Sequence, residues 1–562
     1  MTDSTTAPSV IDEIASRYWE DVLRLSPTTA TVYGDERYND RLDDPGPEGR
    51  AAERRLMERV RQEAADVSPD GLSEEDRITR DILTLVADIA IEADDIAYRE
   101  ILVVDQIRGP QTLLSQLTQF QPADTPERLD AFLARLRGYG AYMDAHIDIM
   151  ADGLRSGRTA ARIVADRTIE QLERMLAIPI GDAIVPAMAN VASDQDRERV
   201  RDVVREVVYP ADHRLLEALK GPYYAATRER PGLVSMADGK ELYRHGIRAW
   251  TSLAMEPEDV HRVGLDELEA IDEERRVIAD AEGFDGDVHA YRNRLATDPA
   301  NQAPTAEVLI EHVNAQIAMA AEVAPQVFGR LPRAACEVRP VEAFKEKDAP
   351  FAYYFPPALD GSRPGTYYIN TYDLPSRTYS KLAATTFHEA IPGHHFQISL
   401  EMEHPGLNVF RRLGARAAGG GAYAEGWGLY AERLADELGL YRTPAERFGM
   451  LDAQAWRASR LIVDSGMHGL GWSRQQSIDW LLDTGLSETD AVIETDRYIA
   501  WPGQALSYMT GMREIRRLRR ELEARDGARF DLKRFHDEII GHGTLPLAIL
   551  TKELPRWVTP TP

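Results

Sequence analysis

The spacing of apolar residues is the feature that most constrains this fold. From Val10 to about Lys220, apolar side chains recur three or four positions apart, beginning with Ile11, Ile14, Tyr18, Val22 and Leu25. Because an α-helix turns once in about 3.6 residues, this spacing gathers the apolar side chains into one stripe. The pattern predicts a succession of amphipathic helices.

Several helix starts are marked by their capping residues. Thr125 or Asp124 can cap a helix that begins at Pro126, because proline suits the first turn of a helix. A second helix is predicted to begin at Pro257, where acidic residues follow and favour the positive end of the helix dipole. Thr305 is a suitable cap for a third. The helical pattern therefore continues past the middle of the chain.

A change in composition between about Arg330 and Thr371 interrupts the helices. The segments Phe351-Ala-Tyr-Tyr-Phe and Gly365-Thr-Tyr-Tyr-Ile-Asn are aromatic runs bounded by proline and glycine. Such runs favour β-strands. Two short strands are expected here, before the helical pattern resumes at Leu382.

The length of the chain predicts more than one lobe. Its 562 residues exceed the roughly 250–300 at which a single hydrophobic core usually stops growing. We expect an N-terminal helical lobe over residues 1–255. A second lobe, over residues 256–562, is expected to carry the short strands and the site residues described below. The boundary is approximate, and the lobes are expected to interlock.

Charge and cysteine content exclude several kinds of partner and site. The chain has 93 Asp and Glu against 66 Lys and Arg, and its net charge of -27 repels phosphate backbones and anionic lipids. We therefore expect neither nucleic acid nor membrane as a partner. Cys336 is the only cysteine, which excludes an intrachain disulfide and a thiolate metal cluster. The first residues do not resemble a secretory signal, so the cytoplasm is the expected location.

The segment Thr386-Phe-His-Glu-Ala-Ile-Pro-Gly-His-His-Phe-Gln carries the clearest chemical signal. It resembles the His-Glu-x-x-His helix of zincins, in which two histidines four positions apart bind one zinc ion. Here Pro392 occupies the position of the second histidine. On a regular helix His394 would point about 120° away from His388, and His395 would lie about 10 Å further along the axis.

Pro392 and Gly393 can relieve this conflict. Proline breaks a backbone hydrogen bond and glycine tolerates unusual dihedral angles, so the pair can form a bulge that absorbs the extra residues. We predict His388 and His394 as two metal ligands, with His395 as the alternative to His394.

A catalytic zinc ion commonly takes a third protein ligand. The segment Gly421-Ala-Tyr-Ala-Glu-Gly-Trp-Gly-Leu-Tyr-Ala-Glu offers Glu425 and Glu432, which could share one helix face. Periodicity does not choose between them. Glu425 precedes Gly426, where small residues permit close approach of helices. We predict Zn²⁺ as the cofactor, Glu425 as its third ligand and Glu432 as an outer partner of the ligands.

Four sequence blocks resemble the DUF885 family of the gluzincin-type metallopeptidase group. They are Arg363-Pro-Gly-Thr-Tyr-Tyr-Ile-Asn, His388-Glu-Ala-Ile-Pro-Gly-His-His, Ala424-Glu-Gly-Trp-Gly-Leu-Tyr and Trp501-Pro-Gly-Gln-Ala-Leu-Ser-Tyr. The resemblance extends from about Ile11 to Leu554. It implies a mainly α, elongated, two-lobed zincin-like fold, similar to neurolysin-like peptidases, with a small β-sheet beside an active-site cleft. It also implies a zinc ion bound by two histidines and one glutamate.

Zinc chemistry assigns roles to further residues. Glu389 is placed to act as the general base, because a carboxylate beside the metal can take a proton from water. Tyr508 and His468 are candidates to stabilise the oxyanion, since similar peptidases use a downstream Tyr or His for this purpose. Gln504 is expected to line the same wall as Tyr508, on a helix that begins after Pro502.

The substrate side of the site is predicted less directly. The strand over residues 365–370 could present an exposed edge to an extended peptide, with Tyr367 or Tyr368 facing the cleft. His395 and His542 are further candidates for substrate binding. A structural hairpin is the alternative interpretation of the strand.

These observations favour a zinc metallopeptidase that cleaves short peptides. Two other hypotheses stay open. One is a zinc hydrolase of a non-peptide amide or natural product, which would use the same residues. The other is a helical binding scaffold that has lost turnover. The sequence does not decide between endo- and exopeptidase action, and it does not predict the oligomeric state.

Overall fold

The computed structural model describes residues 8–558, apart from residues 184, 186–188, 343–345, 347–349, 358–362 and 416–419. Helices account for 72% of the structure, and a small three-stranded sheet lies in the second half of the chain. The prediction of a mainly helical protein with a small sheet is confirmed. Among the described residues, no helix combines the length and the apolar character needed to span a membrane.

The chain divides into two compact units. The first comprises Met1–His245, Met467–Arg474 and Ile493–Pro502. The α-helices that begin in its first segment are α1 (Val10–Leu25), α2 (Pro27–Val32), α3 (Pro47–Asp66), α4 (Glu74–Asp95), α5 (Arg99–Leu102), α6 (Leu113–Leu117), α7 (Pro126–Ser156), α8 (Arg162–Ala177), α9 (Asp194–Val203), α10 (Tyr209–Ala218), α11 (Tyr224–Ala226) and α12 (Gly239–Thr251).

The second unit comprises Gly246–Gly466, Gln475–Val492 and Gly503–Pro562. The remaining α-helices are α13 (Pro257–Ala281), α14 (Val288–Thr297), α15 (Ala306–Val323), α16 (Tyr379–Glu389), α17 (His394–Glu403), α18 (Gly420–Glu437), α19 (Pro444–His468), α20 (Arg474–Thr484), α21 (Glu488–Ala500), α22 (Ser507–Asp526), α23 (Leu532–Gly541) and α24 (Leu547–Trp557). Both α19 and α21 end in segments of the first unit.

The predicted helix starts agree with the observed ones. α7 begins at Pro126, and the side chain of Thr125 accepts a hydrogen bond from the backbone N–H of Arg128. α13 begins at Pro257. Thr305 caps α15 by accepting from the N–H of Val308. Each of these polar caps satisfies a backbone donor that the helix itself leaves unpaired.

The sheet has three strands rather than the two predicted. β1 (Cys336–Pro340), β2 (Ala352–Phe355) and β3 (Gly365–Ile369) are arranged in the order β1-β3-β2. β3 pairs with β1 in parallel and with β2 antiparallel. The prediction that β3 offers an exposed edge is therefore wrong, because both of its edges are occupied by neighbouring strands.

The sheet packs against the helices that lead into the histidine segment. Tyr367 and Ile369 of β3 share a buried apolar cluster with Leu309 and Val313 of α15 and with Leu382 of α16. Burying side chains of this size stabilises a fold by roughly 1.5–3 kcal/mol each. The cluster fixes α16 beside the sheet, and with it the histidine segment at the end of that helix.

Candidate metal centre

Two histidines and a glutamate converge on one point in the second unit. The Nε2 atoms of His388 and His394 lie 3.4 Å and 3.6 Å from the same Oε2 atom of Glu425. The two imidazole rings are nearly perpendicular, with centroids 4.6 Å apart. Protein ligands at about 2.0–2.2 Å from a tetrahedral zinc ion lie about 3.3–3.6 Å from one another. Both distances to Glu425 therefore match the spacing between two ligands of one metal ion.

A break between α16 and α17 brings the two histidines together. α16 ends at Glu389 and α17 begins at His394, and the Ile391–Pro392 peptide bond between them is cis. A Cβ atom on Gly393 would lie 1.9 Å from the carbonyl oxygen of His388, so this close reversal requires glycine. The extra residues thus form a loop between two helices rather than a bulge within one.

The other nitrogen of His388 contacts a buried carboxylate. Its Nδ1 lies 2.9 Å from Oε1 of Glu432, which is 1% exposed. A proton on Nδ1 that is donated to Glu432 leaves the lone pair of Nε2 free to bind a metal. By contrast, Nδ1 of His394 is buried and has no hydrogen-bond partner in the part of the chain that the structure describes.

Glycines let α18 approach the site closely. A Cβ atom on Gly428 would lie 2.5 Å from Cε1 of His388, and one on Gly426 would lie 2.4 Å from the backbone of Gly511 in α22. Between them, Trp427 donates its indole N–H to the carbonyl of Pro392 at 2.9 Å. The glycines on α18 thus allow its glutamates to lie close to the loop that joins α16 and α17.

Glu389 forms a second possible ligand group with the same two histidines, although we assign it a different role. One of its carboxylate oxygens lies within 4.8 Å of ligand atoms of both His388 and His394. Among the described residues, the carboxylate has no hydrogen bond or ion pair. Burial raises its pKa, and the opposing charges of the two histidines do not cancel that effect. A partly accessible carboxylate with a raised pKa suits a group that accepts a proton during a reaction.

The charges of the trio favour a cation. Burial would raise the pKa of Glu425, but the contacts with His388 and His394, at 3.4 Å and 3.6 Å, outweigh it and hold that pKa well below its usual range. Burial lowers the pKa of His388, but contacts with Glu425 and Glu432 overcome this and raise it to about 10. In the absence of metal, a proton on the imidazole therefore balances the two carboxylates. A divalent cation could replace it.

Replacing Glu432 with glutamine is expected to weaken zinc binding by about 10–100-fold. Glutamine keeps the size of the side chain but removes the charge that holds the imidazole of His388. Competition with a chelating indicator would measure the change in Kd. Glu437→Gln is a matched control on α18, because Glu437 is half exposed and pairs with Arg519. An unchanged Kd in Glu432→Gln would show that this carboxylate does not support the ligand.

His395, the alternative ligand, faces away from the trio. Its Nδ1 lies 2.9 Å from the hydroxyl of Tyr354, and its Nε2 lies 3.1 Å from the carbonyl of Ala334. The side chain is buried, which lowers its pKa to about 4 and keeps it neutral near pH 7. This arrangement favours His394 as the ligand. His395 instead links α17 to the sheet through its contact with Tyr354 of β2.

The two tyrosines of β3 have different surroundings. Tyr367 is fully buried, so a direct contact with substrate is not favoured. Burial raises the pKa of its hydroxyl, and the nearby charge of Glu389 adds to that rise. Tyr368 is half-buried and stacks on Tyr353 of β2, with ring centroids 5.0 Å apart.

His468, a predicted oxyanion donor, has both ring nitrogens engaged within the first unit. Its Nδ1 accepts from the N–H of Leu233 at 3.3 Å, and its Nε2 lies 3.0 Å from the carbonyl of Tyr498. It is fully buried, which lowers its pKa to about 3. These contacts favour a structural role, because neither nitrogen is left to bind a substrate.

The remaining predicted residues lie in the second unit. Gln504 is in a short 3₁₀ turn, whereas Tyr508 is in α22, so the two do not share one regular helix as predicted. The guanidinium of Arg460 lies 4.4 Å from the ring centroid of Tyr508. His542 stacks on Trp557 at 4.0 Å. Both tyrosine and histidine therefore take part in packing contacts.

Arg457 is a charged neighbour of the site that sequence reasoning missed. It lies on α19, and its positive charge lowers the pKa of Glu389. It belongs to no recognisable motif, so only the packing of α19 could have placed it here.

Comparisons with known proteins agree with the fold. The profile of a family described as bacterial proteins of unknown function, DUF885, matches residues 27–554. A crystal structure from Colwellia psychrerythraea has 26% sequence identity and a TM-score of 0.88, covering 98% of this chain and 99% of that one. A protein of unknown function from Shewanella oneidensis has 19% identity and a TM-score of 0.76, covering 97% and 99%. Both are named as candidate lipoproteins. No curated protein matches the sequence.

Proposed function

This chain belongs to the DUF885 family of bacterial proteins, and from the geometry of its side chains we propose that it is a zinc-dependent hydrolase that cleaves short peptides. The observation that carries the proposal is the convergence of His388, His394 and Glu425 on one point, with Glu389 beside them. Two imidazoles and a carboxylate form a common ligand set for catalytic zinc. This ligand set also supports our proposal of a gluzincin-type grouping and a zincin-like fold.

The residues divide the chemistry between them. A bound zinc ion would act as a Lewis acid that polarises the scissile carbonyl and acidifies water. His388, His394 and Glu425 would hold the ion, and Glu432 would orient His388. Glu389 would take the proton from the attacking water and pass it to the departing amine nitrogen. Tyr508 stays a candidate donor to the oxyanion.

Digestion of a library of short peptides, followed by mass analysis of the products, tests the proposal. We expect cleavage by the zinc-loaded protein, loss of cleavage after treatment with a chelator, and recovery when zinc is restored. Acylated amines should be screened in parallel. Cleavage of acylated amines alone would favour a non-peptide amide substrate. If neither class is cleaved, the chain is better explained as a binding scaffold.

The cellular location needs its own experiment. We expect the cytoplasm, whereas the two solved relatives are named as candidate lipoproteins. Fractionation of cells that produce the native protein would decide between the two. Recovery in the membrane fraction would contradict our expectation and would change the pool of peptides available to the site.

A further inference from the structure

Arg457 has a half-buried guanidinium group without an acidic partner. Its Nη1 donates to the carbonyl of Ala453, one helical turn earlier, at 3.1 Å. Its Nε is buried without a hydrogen-bond partner, and no carboxylate pairs with it among the residues that the structure describes. Arginine is seldom buried without a paired charge. The ring of Trp456 lies against the guanidinium, with its centroid 4.8 Å from Cζ, but it carries no negative charge, so the group can still bind an anion from outside the chain.

Neighbouring arginines show that acidic partners are available. Arg433 on α18 pairs with Glu274 at 2.9 Å, and Arg447 on α19 pairs with Asp436 at 2.9 Å. Acidic residues outnumber basic ones by 93 to 66 in the chain. The isolation of Arg457 is thus a local feature of its position rather than a result of composition.

The packing of α18 against α19 determines where Arg457 lies along the helix pair. Arg447 contacts Asp436, and seven residues later on α19 Gln454 contacts Leu429, seven residues earlier on α18. The two helices are therefore antiparallel. In the same register, Glu425 lies four residues before Leu429 on α18. Four residues after Gln454 on α19 is Ala458, which is next to Arg457. The arginine lies at the level of the third ligand.

A contact between α19 and α16, together with the charge of Arg457, relates this arginine to Glu389. A Cβ atom on Gly449 would lie 2.0 Å from the carbonyl oxygen of Ser380, so the two helices touch near their starts. Each then runs about two turns further, α16 to Glu389 and α19 to Arg457. Burial is the largest influence on the pKa of Glu389 and raises it, while the charge of Arg457 lowers it.

We propose that Arg457 binds a carboxylate of the substrate next to the scissile bond. The inference rests on the proposed hydrolase function and narrows its substrates to short peptides with a free C-terminal carboxylate one or two residues beyond the cleaved bond. Since Nη1 donates to Ala453 and Nε is buried, Nη2 is the nitrogen left to donate to that carboxylate, and the charge of the guanidinium strengthens the hydrogen bond. Such an enzyme releases residues from the C-terminus.

Binding measurements test this role without turnover. Zinc-loaded Glu389→Gln protein would be titrated calorimetrically with N-acetyl-trialanine and with its C-terminal amide. We expect the amide to bind at least about tenfold more weakly, because it lacks the charge that strengthens hydrogen bonds to arginine. Adding Arg457→Gln to the Glu389→Gln protein should remove the preference for the free acid over the amide. Adding Arg457→Lys instead should keep part of that preference. Lys381→Gln, which removes an exposed positive charge on α16, should leave it unchanged.

The amide of N-acetyl-Ala-Ala-Asp distinguishes two sources of carboxylate. Its only carboxylate is on the aspartate side chain. If this peptide binds as tightly as N-acetyl-trialanine, and if its binding depends on Arg457, an acidic side chain is recognised and the C-terminal assignment is overturned. Equal binding of acid and amide, or no binding of either, overturns the role of Arg457 even if the peptide library is cleaved. A retained acid preference in a protein that cleaves nothing overturns the hydrolase proposal instead.

Discussion

Replacing Glu389 with glutamine is expected to lower kcat for peptide hydrolysis by about 10²–10⁴-fold while the protein keeps one zinc ion per chain. Glutamine has nearly the same shape as glutamate but cannot accept the proton of the attacking water. The side chain has no hydrogen bond or ion pair to lose among the described residues, so the fold should be unaffected. Steady-state kinetics and metal analysis on the same preparation measure both effects.

Metal content is what makes the Glu389→Gln result interpretable. Loss of zinc together with activity would mean that Glu389 is a ligand, and the trio would need to be reassigned. Full activity with zinc retained would remove Glu389 from the mechanism. The variant Glu437→Gln provides a control, because it removes an exposed carboxylate that pairs with Arg519.

The adjacent histidines are expected to respond in opposite ways to alanine. His394→Ala should abolish stoichiometric zinc binding, because losing a direct ligand costs more than the about 10–100-fold lost with an outer partner. His395→Ala should keep the zinc ion and instead lower the free energy of unfolding by about 1–3 kcal/mol, because it leaves buried polar partners unpaired. Those partners are the hydroxyl of Tyr354 and the carbonyl of Ala334.

Metal analysis and denaturant unfolding of the two variants separate the assignments. If His395→Ala loses zinc and His394→Ala keeps it, the second ligand is His395 and the loop geometry described here is incorrect. If both variants keep zinc, neither histidine is needed. Apo protein should be unfolded in parallel, so that stability lost with the metal is not mistaken for lost packing.

Much of the helical architecture could be predicted because its signals are local. The stripe from Ile11 to Leu25 became α1, and the caps at Thr125 and Thr305 mark observed helix starts. β1 was missed because Cys336-Glu-Val-Arg-Pro mixes charged residues with apolar ones and ends in proline. Its pairing with β3 is what makes it a strand. The same pairing explains why β3 is central and not an edge.

The site was predictable where short sequence motifs carry its residues. The histidine spacing around Pro392 and Gly393 predicted a bulge within one helix, whereas the structure has a loop between α16 and α17. The position of Arg457 relative to Glu425 depends on how α19 packs against α18. No single segment of the sequence encodes that packing. His468 was a candidate because similar peptidases use a downstream Tyr or His, but its ring nitrogens contact backbone groups of the first unit.

The proposed function depends on His388, His394 and Glu425 sharing one cation. Anomalous scattering at the zinc absorption edge, from crystals of the zinc-loaded protein, tests this most directly. We predict one peak about 2.0–2.2 Å from Nε2 of both histidines and from a carboxylate oxygen of Glu425. A peak held by other residues, or no peak within reach of these three side chains, would show that they do not share a metal ion.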